Sequence, residues 1–203
     1  MSSLTYLIPL CWICFLAYWL ISSRSVKPTQ EKAFSTPRFR AIIITLLVIF
    51  IILNRLHVIP GLDPFQNGWA GCHLDILRVG RNMPFTNQVI GIFLTVCGLA
   101  VAVIARRTLA GNWSSNVEFK QGHELITYGI YGYVRHPIYS GMTLMLIGTI
   151  ITFAPAGSAV IFVVFVCYCG YKMKLEEDLM LRHFPREYAA YRKRVKSLIP
   201  FIL

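Results

Sequence analysis

Acidic side chains are scarce in this sequence. Asp and Glu number nine against twenty Lys and Arg, in a chain of 203 residues with a formal charge of +11. Charged residues of both signs make up only 14%, where soluble domains carry about a quarter. Apolar residues take their place: 56% of the side chains are hydrophobic and the mean hydropathy is +0.58. A soluble protein of this size cannot hide so much apolar surface, so lipid is the expected solvent. The length suits one membrane domain with no separate soluble one.

Other absences narrow the reading further. There is no internal repeat and no low-complexity segment. The N-terminus has no basic leader and no small-residue cleavage site before Arg24, so its apolar run reads as a retained span rather than a signal peptide. Cys11-Trp12-Ile13-Cys14 has the spacing of a metal or redox motif. No second pair with ligand spacing accompanies it, and five of the six cysteines lie in apolar runs, where Cys packs as a small hydrophobe. Cys72 stands alone in a loop. No metal site is expected.

Apolar runs fall at residues 4–21, 41–53 (extendable to 59), 89–105, 138–153 and 159–171. A spanning helix needs about 20 residues. The first three runs reach that with their flanks. The last two are short and are separated by Ala154-Pro155-Ala156-Gly157, a turn signal. The expected fold is all-α: an integral membrane bundle of five transmembrane helices, the last two a helical hairpin, followed by a polar helical tail. Residues 1–105 would hold the first three spans and residues 106–203 the functional core.

Seventeen of the twenty Lys and Arg lie in three segments, 23–40, 106–137 and the tail after Gly170. Five spans place all three on one side. The positive-inside rule then puts the N-terminus outside and the C-terminus in the cytoplasm. The charge is spread along membrane edges rather than gathered on a soluble module, so no nucleic-acid partner is expected. The loop before residue 41 carries two prolines and reads as a surface connection. The outer loop, about residues 60–87, is rich in Pro-Gly, Asp-Pro, Asn-Gly and Met-Pro turns and reads as an irregular cap.

Polar chemistry collects in the second half. Proline is favoured in the first turn of a helix, so the fourth helix should begin at Pro137, with Arg135 and His136 beside its exposed amides. That end suits a carboxylate or phosphate; the alternative is that both bases merely anchor the helix at the headgroups. Farther on, Lys172 and Glu176 stand four apart and share one helical face. Three of the nine acids, Glu176, Glu177 and Asp178, are consecutive there. The hairpin would return this face to Arg135 and His136, making a pocket for a ligand of mixed charge.

At these residues the chain resembles the isoprenylcysteine carboxyl methyltransferase family. The matching pieces are Gly111-Asn112-Trp113-Ser114, His123-Glu124-Leu125-Ile126 with Gly129 and Tyr131, and Arg135-His136-Pro137 with Tyr139. Glu176-Glu177, Phe184, Glu187-Tyr188, Tyr191 and Leu198-Ile199-Pro200-Phe201 complete the set, over about residues 106–203. The resemblance implies a multi-pass membrane methyltransferase that uses S-adenosylmethionine. Carried over by position, it implies cofactor contacts from Asn116, His123, Glu124, Leu125, Ile126, Gly129, Tyr131, His136, Pro137, Ile138, Tyr139 and Glu176. Arg135, Lys172 and Glu176 would be the catalytic group.

The acceptor implied is lipophilic, foremost the carboxylate of a prenylated cysteine, reaching the site from the bilayer among membrane lipids. Two departures stand out: the family commonly has arginine at Lys172, and a glutamine can occur at Asn116. Lys keeps the charge and loses the two-pronged fork, which bears on substrate identity. A phospholipid amine or a small thiol is an alternative acceptor. An NADPH-dependent sterol reductase and a non-enzymatic membrane scaffold are rival readings.

Overall fold

The computed structural model describes residues 3–34, 84–153 and 158–200. Helix α1 covers Leu7–Ser22. It is apolar on all sides, and only one stripe is packed: Ile8, Cys11 and Phe15 are buried while Leu10 and Ile13 point outward. Cys11 belongs to the core with Phe15, Ala102 and Met145. Helix α2 covers Phe85–Leu109, about 37 Å at 1.5 Å per residue. The segments Leu4–Ser25 and Phe85–Asn112 are long and apolar enough to cross a membrane. Helix α3, Pro137–Phe153, is apolar but shorter. The expected second span lies outside the described residues, as do most of the outer loop and the turn at 154–157.

The tightest seam joins α2 to α3, and small residues make it. Gly91, Thr95, Gly98 and Ala102 are buried on α2 against Gly141, Met145, Gly148 and Thr152 on α3. A Cβ added at Gly98 would stand 2.5 Å from the carbonyl oxygen of Gly141, so the two backbones touch. Such close approach is how helices gain dispersion contacts where lipid offers no hydrophobic drive. Gly91 faces Gly148 and Gly98 faces Gly141, so α2 and α3 are antiparallel.

Arg106 ties α2 to α1. Its Nη1 donates to the Ala110 carbonyl (2.7 Å) and its Nη2 to the Ser22 carbonyl (2.6 Å), while the guanidinium lies 4.5 Å from the centre of the Trp113 ring. These bonds serve carbonyls that a helix end leaves unpaired. The C-terminal ends of α1 and α2 therefore sit together.

Helix α4 runs unbroken from Ser158 to His183, twelve residues beyond the expected fifth span. Its apolar half meets α3 at Tyr139, Cys169 and Met173; its polar extension carries Lys172, Glu176 and Glu177. Pro185 opens the short helix α5, Pro185–Arg194, whose Tyr188 and Tyr191 are buried.

The chain is not all-α. Strand β1 (Thr29–Phe34) pairs antiparallel with β2 (Val117–Lys120), with Glu31 opposite Phe119 and Lys32 opposite Glu118. The segment read as a surface connection thus supplies half of a ribbon. Its sequence, TQEKAF, lacks the alternation that marks a half-buried strand. The pairing comes instead from β2, where Val117 and Phe119 pack on Leu179 of α4.

Candidate functional site

Three backbone contacts fix the approach to α3. The Arg135 N–H donates to the Lys196 carbonyl (2.8 Å), the His136 N–H to that of Ser197 (3.0 Å), and the Ser140 hydroxyl to that of Leu198 (2.6 Å). The chain behind α5 therefore braces the first turn of α3, and Pro137 begins that helix as expected. Arg135, His136 and Tyr139 are turned toward α4.

Glu177 is the anchor below them. Its Oε1 accepts from Arg135 Nε (3.0 Å), Arg135 Nη2 (2.7 Å) and His136 Nε2 (3.1 Å), and Arg192 Nε lies 3.3 Å from Oε2. Burial works against ionisation of this carboxyl, but the hydrogen bonds from His136 and Arg135 hold it at about 2. A carboxylate only accepts, so Nε2 of His136 carries the proton and Nδ1 faces Glu176, 3.6 Å from its Oε2. Arg135 is fully occupied here, since its Nη1 also donates to the carbonyls of Arg192 and Val195.

Glu176 is less enclosed. Tyr139 donates its hydroxyl to Oε1 across 2.7 Å. Lys172 Nζ lies 3.8 Å from the same oxygen and 5.7 Å from the centre of the Tyr139 ring, and donates to the Ser115 carbonyl at 2.9 Å. A carboxylate, a cation and an imidazole thus meet within one helical turn of α4.

A second buried carboxylate organises the opposite wall. Glu118 accepts from Lys120 (2.8 Å), Thr29 and Ser114 (each 2.9 Å) and Asn116 Nδ2 (3.0 Å). Burial raises its pKa, and these four donors overcome that and bring it to about 2. Nearby, Lys27 Nζ reaches the Asn112 side-chain oxygen (3.0 Å) and the Gly122 carbonyl (2.6 Å), shaping the turn before His123. The His123 ring stacks on Phe119, centroids 4.8 Å apart, and Phe119 stacks on His183 at 3.6 Å. His183 Nε2 in turn lies 2.8 Å from Oε2 of Glu31. Burial, with Lys27, His183 and Lys120 close by, lowers the His123 pKa to about 4, so the ring is neutral at pH 7. Its Nδ1 is buried and has no hydrogen-bond partner among the described residues.

These walls enclose a cavity of about 680 Å³, within the range of small-molecule sites. Asn116, His123, Glu124, Leu125, Ile126, Tyr131, Arg135, His136, Ile138, Tyr139, Lys172 and Glu176 all line it. Gly129 and Pro137 do not; they act on the backbone. Gly129 has φ +61°, a left-handed conformation that favours glycine, and Pro137 sets the start of α3.

The sequence reading missed the α1 lining of the cavity, where Phe15, Leu16, Trp19 and Leu20 form an apolar wall. A uniformly apolar helix gives no sign of which residues face a cavity. It also missed Glu118 as an organiser. Its charge among Ser114, Asn116 and Lys120 was a legible signal, but Thr29 comes from a distant segment. The lining of this space is partly polar and mixed in charge and partly apolar. It suits a charged small molecule beside an amphipathic one.

The sequence profile of the phospholipid methyltransferase family matches residues 86–187. A probable protein-S-isoprenylcysteine O-methyltransferase of Oryza sativa subsp. indica is 28% identical over 116 residues, covering 56% of this chain and 61% of that protein. Protein-S-isoprenylcysteine O-methyltransferases of Saccharomyces cerevisiae and Homo sapiens are 33% and 32% identical over 118 residues. Those matches cover 56% and 57% of this chain, and 49% and 42% of theirs. The chain thus matches between about two fifths and three fifths of these relatives' length. The structure of a eukaryotic intramembrane Ras methyltransferase, isoprenylcysteine carboxyl methyltransferase, superposes with a TM-score of 0.56. That match covers 83% of this chain and 54% of the other at 23% identity, a likeness of fold.

Proposed function

This chain belongs to the phospholipid methyltransferase family, and from that premise we propose that it is a membrane-embedded methyltransferase acting on a lipophilic acceptor. The acceptor we favour is the carboxylate of a prenylated cysteine, converted to its methyl ester. The observation that carries this reading is the lining of one cavity, which joins Glu176, Lys172 and His136 to the apolar Phe15, Leu16, Trp19 and Leu20.

S-adenosylmethionine fits the polar lining by donor chemistry. An ammonium matches the Glu176 carboxylate, and a carboxylate matches the start of α3 beside His136. An adenine matches the apolar Leu125 and Ile126. The buried Nδ1 of His123, without a partner among the described residues, is the kind of atom that a bound polar group satisfies. When bound, this cofactor supplies a methyl group already activated by a sulfonium.

The chain's own residues then have little covalent work. A carboxylate acceptor is ionised at neutral pH and requires no general base. Lys172 orients it through charge, and alignment is the main catalytic contribution. Tyr139, by its bond to Glu176, keeps the cofactor-binding carboxylate in place. The acceptor's lipid chain would lie along the α1 wall, entering from the bilayer, and the cofactor would enter from the cytoplasmic side. An amine acceptor, such as a phospholipid headgroup, fits less well beside Lys172 because like charges repel.

The test is incubation of purified protein with methyl-labelled S-adenosylmethionine and a panel of prenylcysteines, aminophospholipids and thiols. Label should enter the prenylcysteines and be released as methanol by base, the mark of a methyl ester. Label confined to aminophospholipids would overturn the acceptor. Calorimetric binding of NADPH, with none of S-adenosylhomocysteine, would overturn the reaction class.

A further inference from the structure

The outward face of α5 and the segment behind it is densely basic. Arg186, Arg192, Lys193, Arg194 and Lys196 are exposed, and Glu187 is the single acid between Pro185 and Lys196. Tyr188 and Tyr191 take the other face of the helix into the core, which holds the bases outward.

Two observations indicate what this face meets. The strand of chain carrying Lys196 runs beside residues 134–140: Val134 pairs with Lys196, and the Leu198 carbonyl accepts from Ser140. Lys196 therefore stands beside Val134 and Arg135, just ahead of the first turn of an apolar helix, where hydrocarbon gives way to water. Beside it, Tyr133 is 66% exposed and Ile199 49%. Amines next to an exposed phenol and an exposed aliphatic tip match a membrane interface. An acidic protein surface would satisfy the charges but not the apolar tip.

We infer that Lys193, Arg194 and Lys196, flanked by Tyr133 and Ile199, form a binding surface for anionic lipid headgroups of the surrounding bilayer. The inference rests on reading α1 to α4 as membrane helices and does not require methyl transfer. The surface is also tied to the site. Arg192 places Nε 3.3 Å from Glu177, and its carbonyl accepts from Arg135. Lipid bound to α5 thus steadies the cluster that holds His136.

The experiment reconstitutes the full chain in phosphatidylcholine bilayers and measures the association of spin-labelled phosphatidylglycerol against spin-labelled phosphatidylcholine. At low salt the anionic label should be favoured by about twofold or more. The preference should fall toward parity in about 0.5 M salt and in the Lys193→Gln/Arg194→Gln/Lys196→Gln variant. Lys193→Arg/Lys196→Arg should retain it, which separates lost charge from lost folding. Equal association of both labels with the wild type, or an undiminished preference in the triple Gln variant, would overturn the proposal. So would a wild type that ignores both lipids and binds polyglutamate, which would mark an acidic protein partner. Because no cofactor is present, failure here leaves the methyltransferase reading untouched.

Discussion

The Tyr139 hydroxyl donates to Glu176 Oε1 across 2.7 Å, joining the first turn of α3 to the polar extension of α4. The two residues are 37 positions apart. Neither helix alone would put a phenol beside a carboxylate. The bond occupies one oxygen of Glu176, whose side chain stays 28% exposed and lines the cavity.

Removing that carboxylate should weaken cofactor binding. Hydrogen bonds to charged groups contribute about 1.5–3 kcal/mol, so Glu176→Gln should raise the Kd for S-adenosylhomocysteine by about tenfold to a hundredfold. Tyr139→Phe removes only the positioning bond and should cost less, about threefold to tenfold. Calorimetry on both variants checks the ranking. An unchanged Kd in Glu176→Gln would remove this residue from the site.

The Glu118–Lys120 pair offers a stability test. Both side chains are almost wholly enclosed, at 8% and 4% exposure. Glu118→Ala leaves a buried ammonium with no carboxylate, a loss of about 3–5 kcal/mol. Removing both charges in Glu118→Leu/Lys120→Met should recover most of it. Denaturant midpoints of the single and double variants decide the matter, and a double variant no better than the single one would refute the account.

Acid should destabilise the protein in two separable windows. The His123 pKa falls from 6.5 to about 4 on folding, so the unfolded chain binds the extra proton between those values. Stability is therefore lost as pH drops from about 6.5 to about 4. Glu118 and Glu177 fall from 4.5 to about 2, and their contribution is lost between about pH 4.5 and 2. Thermal melts against pH should show a flatter upper window in His123→Gln and a flatter lower one in Glu177→Gln.

The glycine seam should not tolerate a methyl group. In Gly98→Ala the new carbon would meet the Gly141 carbonyl at 2.5 Å, and the expected cost is about 1–3 kcal/mol from overpacking. Gly170→Ala is the matched control. Its Cβ would meet nothing within 4 Å, so helix propensity alone should stabilise it by about 0.8–1 kcal/mol. Melting in detergent should move the two variants in opposite directions.

How much was legible in the sequence follows from how each feature is encoded. Apolar run length and the proline at 137 set where α1, α2 and α3 lie, because helix span and helix start are local properties. The spacing of Lys172 and Glu176 placed them on one face for the same reason. Arg135 shows the limit. Its charge beside a helix start suggested a ligand contact, yet its guanidinium is taken up by Glu177, Arg192 and Val195. Only the return of α4 and the C-terminal segment decided that.

The ribbon, the Glu118 network and the α1 wall of the cavity were likewise tertiary outcomes. Each joins residues more than eighty positions apart, as Thr29 and Glu118 do. Their pairing depends on helices already standing side by side. Composition determined that the chain seeks lipid, and local pattern determined its helices. Which polar groups would meet across the bundle was settled by packing, because a buried charge persists only where the completed fold brings its partners within reach.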